Sequence, residues 1–141
     1  MKYTDKAVEL IKKYRGFSAI PYENYFGEIN IGYGHLWNKG DADEISKETA
    51  EKLLKIDLTI ISSNLDDLGL KLSQNQFDAL CSFVFATNIG TFKSSILYKL
   101  IKSNKYSPLV KINWIGWCII SGERSKRLRD WRKEEVNLFY K

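Results

Sequence analysis

Between residues 5 and 14, Ala7, Val8, Ile11 and Tyr14 recur at the spacing that places them on one face of a helix. Thr4 stands where an N-cap belongs. Gly16 can end the helix, because glycine adopts the left-handed conformation that helix C-termini favour. The helical period is then lost. Residues 17–38 set Gly27, Gly32 and Gly34 among Tyr, Phe, Ile and Trp, the pattern of short strands joined by tight turns. Helical spacing returns at Ser46, which opens a long helix to about residue 63. Ser73 and Gln76 have capping-box spacing, in which each side chain satisfies an otherwise orphaned backbone N–H. Ser107-Pro108 places a cap before a proline at the first helical position. The pattern predicts a mostly helical protein with one β-rich interruption and no repeat or linker.

Composition adds limits. The 141 residues suffice for one domain with a real core, and a 44% apolar and 13% aromatic content is that of a globular protein. No run approaches the roughly 18 apolar residues of a membrane-spanning helix. Met1 to Tyr14 alternates charged and apolar residues and lacks the apolar region of a signal peptide. The chain is therefore expected to be cytoplasmic on synthesis, reaching a cell wall only by release or dedicated export. Cys81 and Cys118 both sit in apolar runs and read as buried free thiols, with a disulfide open only if the fold brings them together. They do not read as a metal site, since the one histidine, His35, is remote in sequence and ligand spacing is absent. No cofactor is implied.

The candidate chemistry lies in the first third of the chain. Tyr14-Arg15-Gly16 is followed by Pro21-Tyr22-Glu23-Asn24, Gly27, and Asn30-Ile31-Gly32-Tyr33-Gly34-His35. This succession resembles the phage-type lysozymes, or endolysins. Their pattern has Glu-Gly at the end of the first helix, Asp (sometimes Cys) after eight residues, Thr after five more, then Ile-Gly-Tyr-Gly-His. The spacing is kept here: eight residues separate Arg15 from Asn24 and five separate Asn24 from Asn30. The residue types are not, since Glu, Asp and Thr have become Arg15, Asn24 and Asn30. The resemblance continues through Ile45–Leu58, through Leu72–Phe83, and into Phe92, Ser95, Leu97 and Leu100. Near the C-terminus Trp117, Gly122, Leu128, Arg132, Glu135, Leu138 and Phe139 match. Departures there are Ala86, Asn88, Ile119 and Ser121, with Arg127 in place of a Gly and Trp131 in place of an Arg. The resemblance implies a two-lobed α+β fold, mostly α. A β-rich part at about 16–38 would be joined by a helix at about 46–63 to a helical lobe at about 64–141 of one domain, 1–141.

Glycosidic cleavage needs a carboxylic acid to protonate the leaving oxygen and a second group that positions water or stabilises oxocarbenium-like charge. Arginine has no transferable proton at useful pH and is of the wrong sign for that charge. Asparagine orients water but does not deprotonate it. The reading is a degenerate lysozyme whose substitute carboxylates, if any, are Glu23 and Glu28. In a regular strand each would point away from the faces of Asn24 and Asn30, unless a bulge or turn at Gly27 re-aims one. An active muramidase using one of them is the alternative. Arg15, Asn24, Asn30, Tyr33 and His35 are the candidate binding residues, although glycine-dictated strand geometry alone explains Ile31–His35 and His35 reads as structural.

Net charge is +5, and Gly122–Lys141 holds seven basic residues against four acidic ones. A solvated, salt-bridge-laced helix is the expectation, with an anionic-polymer surface as the functional alternative. No helix-turn-helix, zinc-finger or RNA-binding signature supports a nucleic-acid role. The expected ligand is a protein partner or peptidoglycan glycan, bound by a monomer.

Overall fold

In a computed structural model describing residues 1–141, the chain runs α1 (Asp5–Arg15), β1 (Ser18–Glu23), β2 (Ile29–Gly32), β3 (His35–Leu36), α2 (Lys47–Asp66), α3 (Gln74–Ala86), α4 (Ile89–Ser94), α5 (Ile96–Asn104), α6 (Pro108–Ile115), β4 (Ile119–Ile120), β5 (Glu123–Arg124) and α7 (Lys126–Phe139). This is a mostly helical α+β architecture. The helix starts fall where the capping residues stand: Thr4, Ser46 and Ser73 each accept a backbone N–H of the first turn, and Ser73 with Gln76 completes a capping box. Ser107 caps α6 with Pro108 at its first turn. Gly16, at φ 67°, closes α1 by donating its N–H to the Lys12 carbonyl.

α1 packs on α3 and α7 and contributes Ala7, Val8, Leu10 and Ile11 to the same buried cluster as Leu80, Phe83, Trp114 and Phe139. The helical lobe therefore includes residues 5–15 as well as the chain beyond α2. Its N-terminal end is pinned to α3, where the fully buried Asp78 carboxylate accepts from the Thr4 N–H at 2.6 Å and the Thr4 hydroxyl at 2.5 Å. The other end of α1 is thereby delivered to the junction with the β lobe, carrying Arg15.

The β lobe is an antiparallel meander in the order β1-β2-β3. Tyr22 pairs with Asn30 and Glu23 with Ile29, and the register shifts between Ser18 and Tyr22, around the Pro21 that has no N–H to give a ladder. α2 connects the lobes and buries Ala50, Leu54, Leu58, Ser62 and Leu65 along one face. His35 bridges from β3 to this helix, its Nδ1 lying 2.8 Å from Asp57 Oδ2. No helix is long and apolar enough to cross a membrane. Cys81 and Cys118 are both buried free thiols.

The C-terminal helix departs from a simple solvated face. Lys126 and Asp130 form an exposed ion pair at 2.9 Å as expected. Arg132 and Glu135, however, are 2% and 0% exposed and belong to the core. Sequence clustering of charge does not reveal this, because the four-residue turn of a helix distributes one charged segment over an inner and an outer face.

Candidate functional site

A cleft of about 1660 Å³ opens between the lobes, floored by Arg15, Trp131 and Arg132 and rimmed by Tyr22–Phe26 and Glu28 on the β-lobe side. The three family-position residues meet at its edge. Asn30, 4% exposed, accepts at Oδ1 from Asn24 Nδ2 at 2.6 Å and from Arg15 Nη1 at a long 3.4 Å. Asn24 Oδ1 in turn accepts the backbone N–H groups of Phe26 at 2.8 Å and Glu28 at 3.0 Å. Asn24 is thus consumed by the turn that joins β1 to β2: its carbonyl side holds the turn, and its amide side holds Asn30.

That turn corrects the alternation expected of a strand. Because β1 ends at Glu23 and β2 begins at Ile29, Glu28 lies in the turn, and its Oε1 comes within 3.4 Å of Asn24 Nδ2. Glu23 and Glu28 both line the cleft instead of turning away from it. Neither forms an ion pair with Arg15.

Arg15, Arg127 and Trp131 converge at the end of α1. Arg127 donates through Nε and Nη2 to the Tyr14 carbonyl at 2.9 and 2.6 Å and through Nη2 to the Lys13 carbonyl at 3.2 Å. It satisfies carbonyls that a helix C-terminus leaves open, at the end where positive charge is favourable. Trp131 stacks on Tyr14 with centroids 5.6 Å apart and planes 8° from parallel. The Arg15 guanidinium carbon lies 5.9 Å from the Trp131 ring centroid and 5.6 Å from that of Phe85. Such contacts with the negative face of an aromatic ring stabilise a cation and disfavour a carboxylate. Gly34, at φ 87°, is where glycine is favoured, and a Cβ there would stand 3.3 Å from Arg15 Cδ and Nε and from Phe85. The surroundings of position 15 are those of an arginine.

Behind Trp131 lies a second guanidinium. Arg132 Nε is 2.7 Å from Glu135 Oε1, and its Nη2 donates to Oε2 at 3.1 Å. Ser82 Oγ at 2.5 Å and Trp114 Nε1 at 3.0 Å also donate to Glu135, while Trp131 Nε1 donates to Ser82 Oγ at 2.9 Å. Burial pushes the Glu135 carboxyl above its ordinary value against the pull of Arg132, and lowers the Arg132 guanidinium. Glu135 is sealed in the core and is no replacement acid.

Of the other candidates, Tyr33 and His35 are not among the residues that line the cleft, and neither is Asn30. Tyr33 tilts against Phe17 with centroids 5.7 Å apart, and Lys12 Nζ lies 5.4 Å from its ring; His35 is engaged with Asp57. These residues support the site from behind. The lining that sequence reasoning passed over is apolar: Tyr25 and Phe26 on the β1–β2 turn, with Ile96, Ile112 and Ile119 opposite. The α6 sequence held one signal, because Leu109, Val110, Ile112, Trp114 and Ile115 put apolar residues on more faces than one buried face needs.

The phage lysozyme family profile matches residues 12–135, and the chain belongs to that family. An endolysin of Acyrthosiphon pisum secondary endosymbiont phage 1 is 35% identical over 108 residues, covering 76% of this chain and 74% of that protein. An endolysin of Bacillus phage B103 is 31% identical across 99% of this chain, which spans only 54% of that relative's length. Among solved structures, the muramidase domain of SpmX from Asticaccaulis excentricus superposes with a TM-score of 0.86 at 29% identity, covering 99% of this chain and 98% of that one.

Proposed function

We propose that this lysozyme-family chain binds a ligand in its interlobe cleft without hydrolysing glycosidic bonds. The observation that carries the reading is the convergence of Arg15, Arg127 and Trp131 on the end of α1. A lone Glu→Arg change would strand a cation, whereas here two aromatic rings face it and a neighbouring arginine caps the helix that bears it. General acid catalysis alone contributes about 10²- to 10⁴-fold. Its loss, together with an Asn24 whose side-chain oxygen is taken up by the turn, leaves neither Arg15 to protonate a leaving oxygen nor Asn24 to activate water. The ligand is a protein partner or the glycan of peptidoglycan, the polymer on which lysozymes act.

A second reading is favoured by one contact. Glu28 Oε1 stands 3.4 Å from Asn24 Nδ2 on the cleft rim, and the relatives above are named endolysins. Glu28 would then supply the second carboxylate of a working muramidase. Purified protein incubated with peptidoglycan, scored for new reducing ends and separately for co-sedimentation, decides between them. The non-hydrolytic reading expects no reducing ends. Turnover abolished by Glu28→Gln or Glu23→Gln would establish the muramidase instead.

A further inference from the structure

Large apolar side chains stand exposed on both walls of the cleft. On the β-lobe side Tyr25 and Phe26 are 70% and 59% exposed; on the helical side Ile96, Ile112 and Ile119 are 62%, 69% and 49% exposed. Large apolar side chains gathered around one opening and rimmed by polar groups mark a contact surface. Tyr25 and Phe26 offer flat π faces, but the branched aliphatic side chains of the helical side do not, and they pack closely against leucine, isoleucine or phenylalanine. A volume of about 1660 Å³ exceeds that of a typical small-molecule pocket and suits a length of polymer.

The charge on the floor is complementary to one kind of polypeptide. Arg132 is already neutralised by Glu135, and Arg127 is committed to the carbonyls of α1. Arg15 is committed to nothing of opposite charge. Its Nη1 makes one long bond to Asn30, its Nε is enclosed without an acceptor, and its Nη2 is neither bonded nor enclosed. A guanidinium without a carboxylate partner in the fold has donors to offer, and its planar fork matches a carboxylate. Glu23 and Glu28 on the β-lobe rim repel that carboxylate and orient it toward the helical side.

We infer that the cleft docks a protein segment in which an aspartate or glutamate is flanked by apolar residues. Its carboxylate pairs with Arg15 through the open Nη2 side, and its apolar neighbours pack between Tyr25–Phe26 and Ile96–Ile112–Ile119. The inference rests on the non-hydrolytic reading of the same cleft and names a protein, not glycan, as the occupant. The test is selection from a random-peptide display library on the wild-type chain and on Arg15→Glu. Wild type should enrich peptides with an acidic residue between apolar ones, and Arg15→Glu should not. A selected peptide, made synthetically, should bind at least about thirtyfold more weakly when its acid is changed to the amide or when Arg15→Gln is used. Ile112→Ser should weaken it about tenfold. Thermal melts verify folding, and Arg15→Gln replaces Arg15→Glu in the selection if the latter does not fold. Absence of an acidic-apolar consensus, or a consensus indifferent to Arg15, overturns the inference. Arg15-dependent co-sedimentation with peptidoglycan and no such peptide overturns it while leaving the non-hydrolytic reading intact; release of reducing ends overturns that reading instead.

Discussion

Arg15 and Arg132 approach the same indole ring, their guanidinium carbons 5.9 and 4.8 Å from the Trp131 centroid, yet they occupy opposite physical situations. Arg132 is 2% exposed, and its charge is met by Glu135, which is itself fully buried and held by Ser82 and Trp114. Arg15 sits on the cleft floor with one long hydrogen bond and two aromatic faces. A paired buried charge is part of the fold, and removing one member leaves the other stranded in low dielectric. An unpaired charge at a cleft contributes little to the fold and remains available to a ligand. The difference separates a charge that belongs to the core from one that stands open at the cleft.

The largest expected effect is on the buried side. Arg132→Ala should lower unfolding free energy by about 3–5 kcal/mol, read from denaturant midpoints. A loss below about 1 kcal/mol would mean that Glu135 is not stranded, and the contrast between the two arginines would collapse.

Arg15→Glu should cost about 1–3 kcal/mol, because it sets a carboxylate against the faces of Trp131 and Phe85. Arg15→Ala should cost only about 1 kcal/mol. A double-mutant cycle of Arg15→Ala with Trp131→Phe sharpens the point, with an expected coupling of about 0.5–2 kcal/mol. No coupling would show that Trp131 is packing that happens to lie near Arg15. Arg15→Glu with Asn24→Asp and Asn30→Thr should restore more activity than Arg15→Glu alone, since the single change leaves Asn24 without a carboxylate. Reducing-end release by both variants ranks them.

The smallest effect concerns Cys81, the neighbour of Ser82 in the buried network. Burial pushes its thiol up to about 12 from an ordinary value of 9.0. Thiol reagents should therefore modify Cys81 only on unfolding. Because the unfolded chain ionises first, its contribution to stability is intact below about pH 9 and is lost as pH rises from there toward about 12. Cys81→Ala should flatten that part of the alkaline stability profile, and an unchanged profile would assign the loss to other groups.

Much of the scaffold was legible because its signals are local. Thr4, Ser46, Ser73 with Gln76, and Ser107-Pro108 act within one turn of themselves, and the helices start where they stand. Of the site, the candidate positions Arg15, Asn24 and Asn30 were legible, but not their surroundings. That Arg15 faces Trp131 depends on α1 and α7 packing together, and nothing near either residue records it. Alternation does not apply to Glu28, because Asn24 accepts two backbone N–H groups and the segment is the turn that Gly27 allows. Exposure of Ile112 was hidden because an apolar residue on a short helix reads as core until the neighbouring lobe is seen to stand off. The small β4–β5 hairpin around Ser121-Gly122 was obscured by its two-residue strands.

The central claim, that the cleft of this lysozyme-family chain no longer cuts glycan, is tested most directly by counting new reducing ends released from purified peptidoglycan by the wild-type protein between about pH 4 and about pH 9. The account predicts none above a protein-free control at any pH. Sustained, enzyme-proportional release at any pH in that range would contradict it.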